Sequence, residues 1–381
     1  MSEFTFATAA TIRFGAGVVA GLDQHSRRLG SRAFVITGGS PERMAKHTAS
    51  LSVAGTYALA GEPTFDDARE AVAAARAAEV DHVIGIGGGA VLDLAKAVAI
   101  LVVSDADPME HAEVIGAGLP LPDHVLPSIA VPTTAGTGSE VTANAVLASV
   151  EHRVKVSLRS PAMLAAVALV DPELALSCPP LVTAHSGMDA ITQCLEPLTS
   201  RFANPMVEAL ATAGLRAGGR SLVRAVEHGD DVDARTDMAL CSLMGGLSLA
   251  NAKLGAVHGI AGVLGGMTGA PHGAICAALL RPTTAANIAA LQEREPGNPA
   301  LTAYGAAAEA VTGHRDVEGL VDWLAALEVQ LQLPPLEVSA GDLGAVADGA
   351  QRSSSMKGNP VELTRDELHQ ILREATRPRR G

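Results

Sequence analysis

A chain of 381 residues is too long for one ordinary core, so two domains are expected. Aromatics make up 2% of it and the net charge is −13, which argues against base-stacking platforms and against binding to a phosphate backbone. With 48% hydrophobic residues and 39 Gly, the core has to be built mainly from Ala, Val, Leu and Ile between many tight turns.

Along the first half, short β-branched runs alternate with Ala-rich helical segments. Residues 33–37 read as a strand ending at Gly38-Gly39. Asp66 to Glu79 has apolar positions at helical spacing and reads as a helix. Asp81 to Ile86 is a second strand, stopped by Gly87-Gly88-Gly89, and a helix follows through Leu92, Leu94, Ala95 and Val98. Ser128 to Val131 is a third strand, closed by Pro132. This rhythm predicts a parallel sheet with crossover helices.

The character changes near Val170-Asp171-Pro172-Glu173. From Pro179 onward helical periodicity takes over, as in Met206 to Ala217, Asp233 to Ala250 and Leu301 to Val311, with polar helix starts expected at Asp233 and Ser339. The expected architecture is a Rossmann-like α/β domain over residues 1–178 followed by an all-helical domain over 179–381. The terminal Arg377-Pro378-Arg379-Arg380-Gly381 reads as a frayed, solvated end. The N-terminus carries no basic region followed by a long apolar run, and no run of about 18 uninterrupted apolar residues occurs; a cytoplasmic protein is expected.

Gly85-Ile86-Gly87-Gly88-Gly89-Ala90 lies between a strand and a helix, where an open sheet binds phosphate. Consecutive glycines let backbone N–H groups approach a pyrophosphate without interference from Cβ atoms. The strict G-x-G-x-x-G is absent, so a purely structural turn stays open for this run alone. A second run, Pro132 to Thr142, packs five hydroxyl side chains and two glycines directly after a strand.

Together, GGGAVLDLAKA and PTTAGTGSEVT resemble the nucleotide-binding signatures of the iron-containing (group III) alcohol dehydrogenases. The resemblance runs through Ile12-Arg13-Phe14-Gly15-Ala16-Gly17, Val170-Asp171-Pro172-Glu173-Leu174, Gly187-Met188-Asp189-Ala190, Val257-His258-Gly259, Pro271-His272-Gly273 and Gly358-Asn359-Pro360. It implies the dehydroquinate synthase-like fold of that family. It also implies an NAD(P)-dependent oxidoreductase moving a hydride between nicotinamide and a small alcohol, aldehyde or ketone, in a homodimer or higher homo-oligomer.

By the same resemblance, Gly87, Gly88, Gly89 and Asp93 line the pyrophosphate and nicotinamide-ribose side. Thr133, Thr134, Thr137 and Ser139 sit against adenosine and ribose, and Lys155 near the nicotinamide ribose. NAD-preferring members often place an Asp directly after the first of these strands, where it accepts from the ribose 2′-OH and repels a 2′-phosphate. Here Gly38-Gly39-Ser40 follows, with Arg43 nearby, which points to use of NADPH.

Of 12 histidines, His185, His258 and His272 fall in segments of interest. Asp189 and Gln193 are four apart and share a helix face. The family carries an Asp-His-His-His set for a divalent metal; here Gln193 occupies the second position, a far weaker donor than imidazole. The expected ligands are therefore Asp189, His258 and His272, with Gln193 as a weak fourth ligand or water-holder, for Fe²⁺ or Zn²⁺. The other outcome is a metal-free pocket in which His258 and His272 donate hydrogen bonds to the substrate oxygen, as in the related maleylacetate reductase branch. Gly262 stands where many members carry a proton-relay histidine, and His185, four residues before Asp189, is the candidate substitute. Cys178, Cys194, Cys241 and Cys276 have no C-x-x-C spacing and read as buried thiols. A non-catalytic nucleotide-binding protein is the reading from a different class.

Overall fold

The computed structural model describes residues 3–113, 115–339 and 341–376; the expected solvated tail at 377–381 lies outside them. The chain divides into an α/β unit, Thr8–Thr134 with Gly138–Ala175, and a helical unit, Leu176–Gly381 with Met1–Ala7 and Ala135–Thr137. The division after Ala175 comes ahead of the expected boundary at 178. Three residues inside the Thr-rich loop also fall with the helical unit, which a contiguous division does not allow.

In the α/β unit, β1 (Ile12–Phe14), β2 (Ala33–Gly38), β3 (Val53–Leu59), β4 (His82–Gly87) and β5 (Ser128–Pro132) join one sheet. A hairpin of β6 (Asn144–Ser149) and β7 (Val154–Arg159) follows, before β8 (Val167–Val170) returns to that sheet. The six strands are parallel, in the order β1-β8-β5-β4-β2-β3. Four helices accompany them: α1 (Leu22–Leu29), the single turn α2 (Ala45–Thr48), α3 (Phe65–Ala77) and α4 (Gly89–Leu101). Along β2, Phe34 and Ile36 pack on one face with α3 and α4, while Ala33 and Val35 pack on the other with Leu22 and Leu174. Burial on both faces is why these strands are apolar without interruption.

The strand order sets where a ligand can sit. The chain places β3 outside β2 and then returns to lay β4 on the other flank of β2, so the sheet reverses direction between β2 and β4. In an open parallel sheet that reversal opens a crevice at the carboxyl ends of the two strands. Those ends are Gly38 and Gly87. The glycines of β4 also let α4 pack closely: a Cβ at Gly85 would stand 2.8 Å from that of Ala95, and one at Gly87 2.6 Å from that of Val91.

A polar anchor ties the Thr-rich loop to α4. Asp93 accepts from Ser139 Oγ at 2.5 Å and from the Val146 N–H at 3.0 Å. The buried Lys96 ammonium donates to Ser139 O at 3.0 Å and Thr142 Oγ1 at 2.8 Å, and stands 3.2 Å from Asp93 Oδ1. Burial pushes Lys96 down, while Asp93 and Glu140 work against it. Burial likewise pushes the Glu140 carboxyl up to about 7.

The helical unit comprises α5 (Pro180–Thr199), α6 (Pro205–Glu227), α7 (Val232–Ala252), α8 (Ala256–Thr268), α9 (His272–Arg294), α10 (Pro299–Thr312), α11 (Val317–Gln330), α12 (Leu343–Arg352) and α13 (Arg365–Ala375). Small residues let α5, α6 and α7 approach: a Cβ at Gly214 would meet Cys194 Sγ at 2.5 Å, and one at Gly218 Cys241 Sγ at 2.8 Å. By length and composition α9 could cross a bilayer, but 72% of that stretch is buried inside the unit as a core helix. Two helix starts differ from expectation. Asp231, not Asp233, caps α7 by accepting from the Ala234 N–H at 2.9 Å. Asp342, not Ser339, precedes α12, and it makes no side-chain cap.

Two outcomes are expected from the α4 anchor. Replacing Asp93 by Ala strands the Lys96 charge and should cost about 3–5 kcal/mol of folding stability, read from urea unfolding. Glu140, whose folded pKa lies above the ordinary 4.5, contributes stability that is full below pH 4.5 and is lost as pH rises through about 7. Glu140→Gln should therefore flatten the decline in stability across that window; an unchanged slope would reject the assignment.

Candidate functional site

Helix α5 sets three polar groups on one face at i, i+4 and i+7: Asp189, Gln193 and Glu196, all of them buried. Glu196 carries the start of α8. Its Oε1 accepts from the Val257 N–H at 2.6 Å, and its Oε2 lies 2.7 Å from His258 Nδ1. With Nδ1–H directed at a carboxylate, His258 turns Nε2 the other way, toward Asp189 Oδ1 at 3.3 Å. Asn359 completes the support by accepting from the Ala256 N–H at 3.0 Å while bonding Asn287 and Val361 O. The Gly358-Asn359-Pro360 motif thus holds the helix that presents His258.

Helix α9 begins at His272, directly after Pro271. Gly273 permits this position, because a Cβ there would stand 2.7 Å from His185 O. One turn on, Cys276 shares the His272 face. Its Sγ lies 3.6 Å from His272 Nε2 and 3.9 Å from His258 Nε2. His272 Nε2 lies 3.7 Å from Asp189 Oδ1. One ligand atom from each of Asp189, His258, His272 and Cys276 falls within 4.8 Å of the others.

These spacings fit a cation. Around a tetrahedral Zn²⁺ with metal–N and metal–O bonds of about 2.0–2.2 Å and metal–S of about 2.3 Å, adjacent N and O atoms stand roughly 3.4 Å apart and S and N roughly 3.6 Å. Asp189 Oδ1 is buried and has no hydrogen-bond partner, although it faces both imidazoles. His258 Nε2 approaches it at 3.3 Å without satisfying it as a hydrogen-bond donor.

Charge agrees with geometry. Burial alone would raise the Asp189 carboxyl, but the two imidazoles and the Gln193 amide outweigh it and hold it at about 2. The Cys276 sulfur, opposed by burial and helped by Asp189, raises His272 to about 9. Burial works against a charged His258, yet Cys276, Asp189 and Glu196 together drive it well above its usual value. The cluster calls for two positive charges, supplied either by protons on the imidazoles or by a divalent cation that displaces them.

Asp189, His258 and His272 thus come together as expected. Gln193 Nε2 donates to Asp189 Oδ2 at 2.9 Å, so the amide holds the carboxylate, while its Oε1 is buried without a hydrogen-bond partner; Cys276 Sγ converges with the other three. His185 is half-buried one turn before Asp189 and is not among the four converging residues. At Gly262 a Cβ would meet nothing within 4 Å, leaving open space on α8 one turn beyond His258. Cys276 and Glu196 were missed in the sequence. Their signals were the i, i+4 spacing of His272 and Cys276 and the i, i+7 spacing of Asp189 and Glu196.

In the α/β unit, Gly38-Gly39-Ser40, Gly87-Gly88-Gly89 and Thr133-Thr134 cluster at the carboxyl ends of β2, β4 and β5. The Thr133 N–H donates to Gly87 O at 2.9 Å, and a Cβ at Gly88 would meet Thr134 Oγ1 at 3.3 Å. Gly88 precedes the first turn of α4 and supplies no side-chain cap, leaving the helix N-terminus for a ligand anion. Asp93 and buried Ser139 bond each other, so these two position the loop. Lys155, on β7, pairs with Glu62 at 3.5 Å. Thr137 falls with the helical unit.

Known proteins carry the same elements. The family described as iron-containing alcohol dehydrogenase matches residues 9–172, and the C-terminal domain of the Fe-containing alcohol dehydrogenase family matches residues 183–376. The chain is 36% identical over 322 residues to long-chain-alcohol dehydrogenase 1 of Geobacillus thermodenitrificans, covering 82% of this chain and 80% of that one. A crystal structure of 1,3-propanediol oxidoreductase superposes with a TM-score of 0.89 at 28% identity, over 98% of this chain and all of the other. Sulfoacetaldehyde reductase of Bifidobacterium kashiwanohense, solved with NAD⁺, superposes with a TM-score of 0.87 at 26% identity, over 98% of each chain. With both family domains matched in order and most of the chain aligned to a relative above 30% identity, this protein belongs to the iron-containing alcohol dehydrogenase family.

Proposed function

We propose that this alcohol dehydrogenase interconverts a small primary alcohol and its aldehyde, uses NADPH, and holds a divalent cation on Asp189, His258 and His272. The observation that carries the cation reading is Asp189 Oδ1, a buried carboxylate oxygen without a hydrogen-bond partner that faces the Nε2 atoms of two histidines. The relatives named above act on alcohols or aldehydes, which supports the substrate class. A cytoplasmic location and a homo-oligomeric state, expected from the family, belong to the same reading.

The bound nicotinamide would supply the hydride chemistry. A divalent cation would supply Lewis-acid polarisation of the substrate oxygen. The chain's own residues prepare for both. Backbone N–H groups of Gly88 and Gly89 at the start of α4 receive the pyrophosphate, while the Asp93–Ser139 bond keeps the Thr-rich loop in place against that helix. Glu196 fixes the ring of His258, and Gln193 fixes the carboxylate of Asp189, so both ligands are oriented before anything binds. Ser40 and Arg43, near the end of β2, suit a ribose 2′-phosphate better than a carboxylate at Gly38 would.

Cofactor choice is tested at Gly38. A Cβ there meets nothing within 4 Å, so Gly38→Asp fits without repacking. The variant should lower the NADPH/NADH ratio of kcat/KM at least tenfold; a wild-type enzyme already preferring NADH strongly would sink the NADPH reading. The cation is tested by chelation and add-back. Turnover with an aldehyde should vanish on chelation and return with Zn²⁺ or Fe²⁺, and Glu196→Gln should weaken metal binding by about 10–100-fold with the fold intact. Full turnover by metal-free protein would overturn the reading.

A further inference from the structure

We propose that Cys276 is the fourth ligand of this centre, as a thiolate, and that it makes the pocket a Zn²⁺ site in preference to Fe²⁺. The inference rests on reading the Asp189 cluster as a cation site, and it adds a donor of another chemical kind from another helix.

Geometry separates Cys276 from an ordinary core thiol. Cys194, also buried, lies 3.5 Å from the carbonyl oxygen of Cys241, as a core thiol does when it finds a backbone acceptor. Cys276 is fully buried too, yet its Sγ faces two imidazole nitrogens, at 3.6 and 3.9 Å. The first matches, and the second exceeds by 0.3 Å, the roughly 3.6 Å S–N edge of a tetrahedral Zn²⁺ with one sulfur ligand. The two nitrogens are the same Nε2 atoms that face Asp189 Oδ1, so all four donors point at one centre. Gln193 donates through Nε2 to Asp189 Oδ2, leaving only its neutral Oε1, a weaker donor than a thiolate.

Ligand chemistry gives the selectivity. A sulfur donor is soft and favours Zn²⁺ over Fe²⁺ beyond the general affinity order of the two ions.

Full-length protein, stripped by chelator and titrated with Co²⁺, tests this without any turnover. We expect one equivalent of Co²⁺ and an intense thiolate-to-cobalt charge-transfer band in the near-ultraviolet. The band should disappear in Cys276→Ser and persist in Gln193→Ala, with Zn²⁺ affinity falling further in the first than the about 10–100-fold expected for the second. Stoichiometric Co²⁺ without the band in wild type overturns the thiolate assignment and leaves the three-ligand reading standing. No bound Co²⁺ or Zn²⁺ overturns both. A band that survives in Cys276→Ser places the sulfur elsewhere and also overturns it. Because the wild-type spectrum decides first, a poorly folded variant does not shield the assignment. Under anaerobic competition at equal concentrations Zn²⁺ should fill the site, and equal or greater Fe²⁺ occupancy would overturn the selectivity.

Discussion

A carboxylate that is 2% exposed inside a helical bundle needs positive charge beside it, and the helical unit is arranged around that need at Asp189. The two oxygens have separate tasks. Oδ2 is satisfied by a neutral amide from one turn further along α5, and Oδ1 faces two imidazoles. Every helix that contributes is placed by a contact leading back to this face. Glu196, two turns from Asp189, receives both the first turn of α8 and the ring of His258. His185 O, one turn before Asp189, packs where Gly273 opens α9. A change on α5 is therefore felt at all the converging residues.

The α/β unit solves a different problem, the close approach of a helix to its sheet at the β4–α4 turn. The glycines of the β4–α4 turn are not interchangeable. Gly85 and Gly87 are required by packing against Ala95 and Val91, whereas Gly88 faces Thr134 at the end of the neighbouring strand. The polar anchor behind this turn has an electrostatic character of its own. Lys96 and Glu140 are buried under the loop beside half-buried Asp93; both carboxylates favour the Lys96 charge, and Lys96 in turn favours a charged Glu140. Stability and loop geometry are coupled there, since the bonds that compensate Lys96 also hold the loop bearing Thr133 and Thr134.

Much of the fold was legible because its signals are local. Strands such as 33–37 and 128–131 are buried on both faces and show as continuous apolar runs, and the Gly-rich turn marks where β4 ends. The β6–β7 hairpin escaped because its burial alternates along short strands without a strong turn dipeptide between them. Helix starts slipped at Asp233 and Ser339 because several polar residues adjoin and only backbone geometry selects the cap. At the candidate centre, Asp189, His258 and His272 stood out by motif. Glu196 did not, since a lone Glu on an apolar helix has no signature until its partner is known. Cys276 was hidden by its residue type: four scattered cysteines without paired spacing read as core thiols, as Cys194 and Cys241 indeed are.

Gln193, at the second position of the Asp-His-His-His pattern, and Cys276 on α9 are most simply read together. An α-helix offers the same geometric opportunity at any i, i+4 pair, so Asp189 with residue 193 on α5 and His272 with residue 276 on α9 are equivalent ways to complete a four-donor set. Losing the imidazole at 193 without a gain at 276 would leave a three-donor centre. The observed pair keeps four donors. It also gives the residue at 193 a new task, because an amide can donate to Asp189 Oδ2 without adding charge, leaving Oδ1 to face the centre.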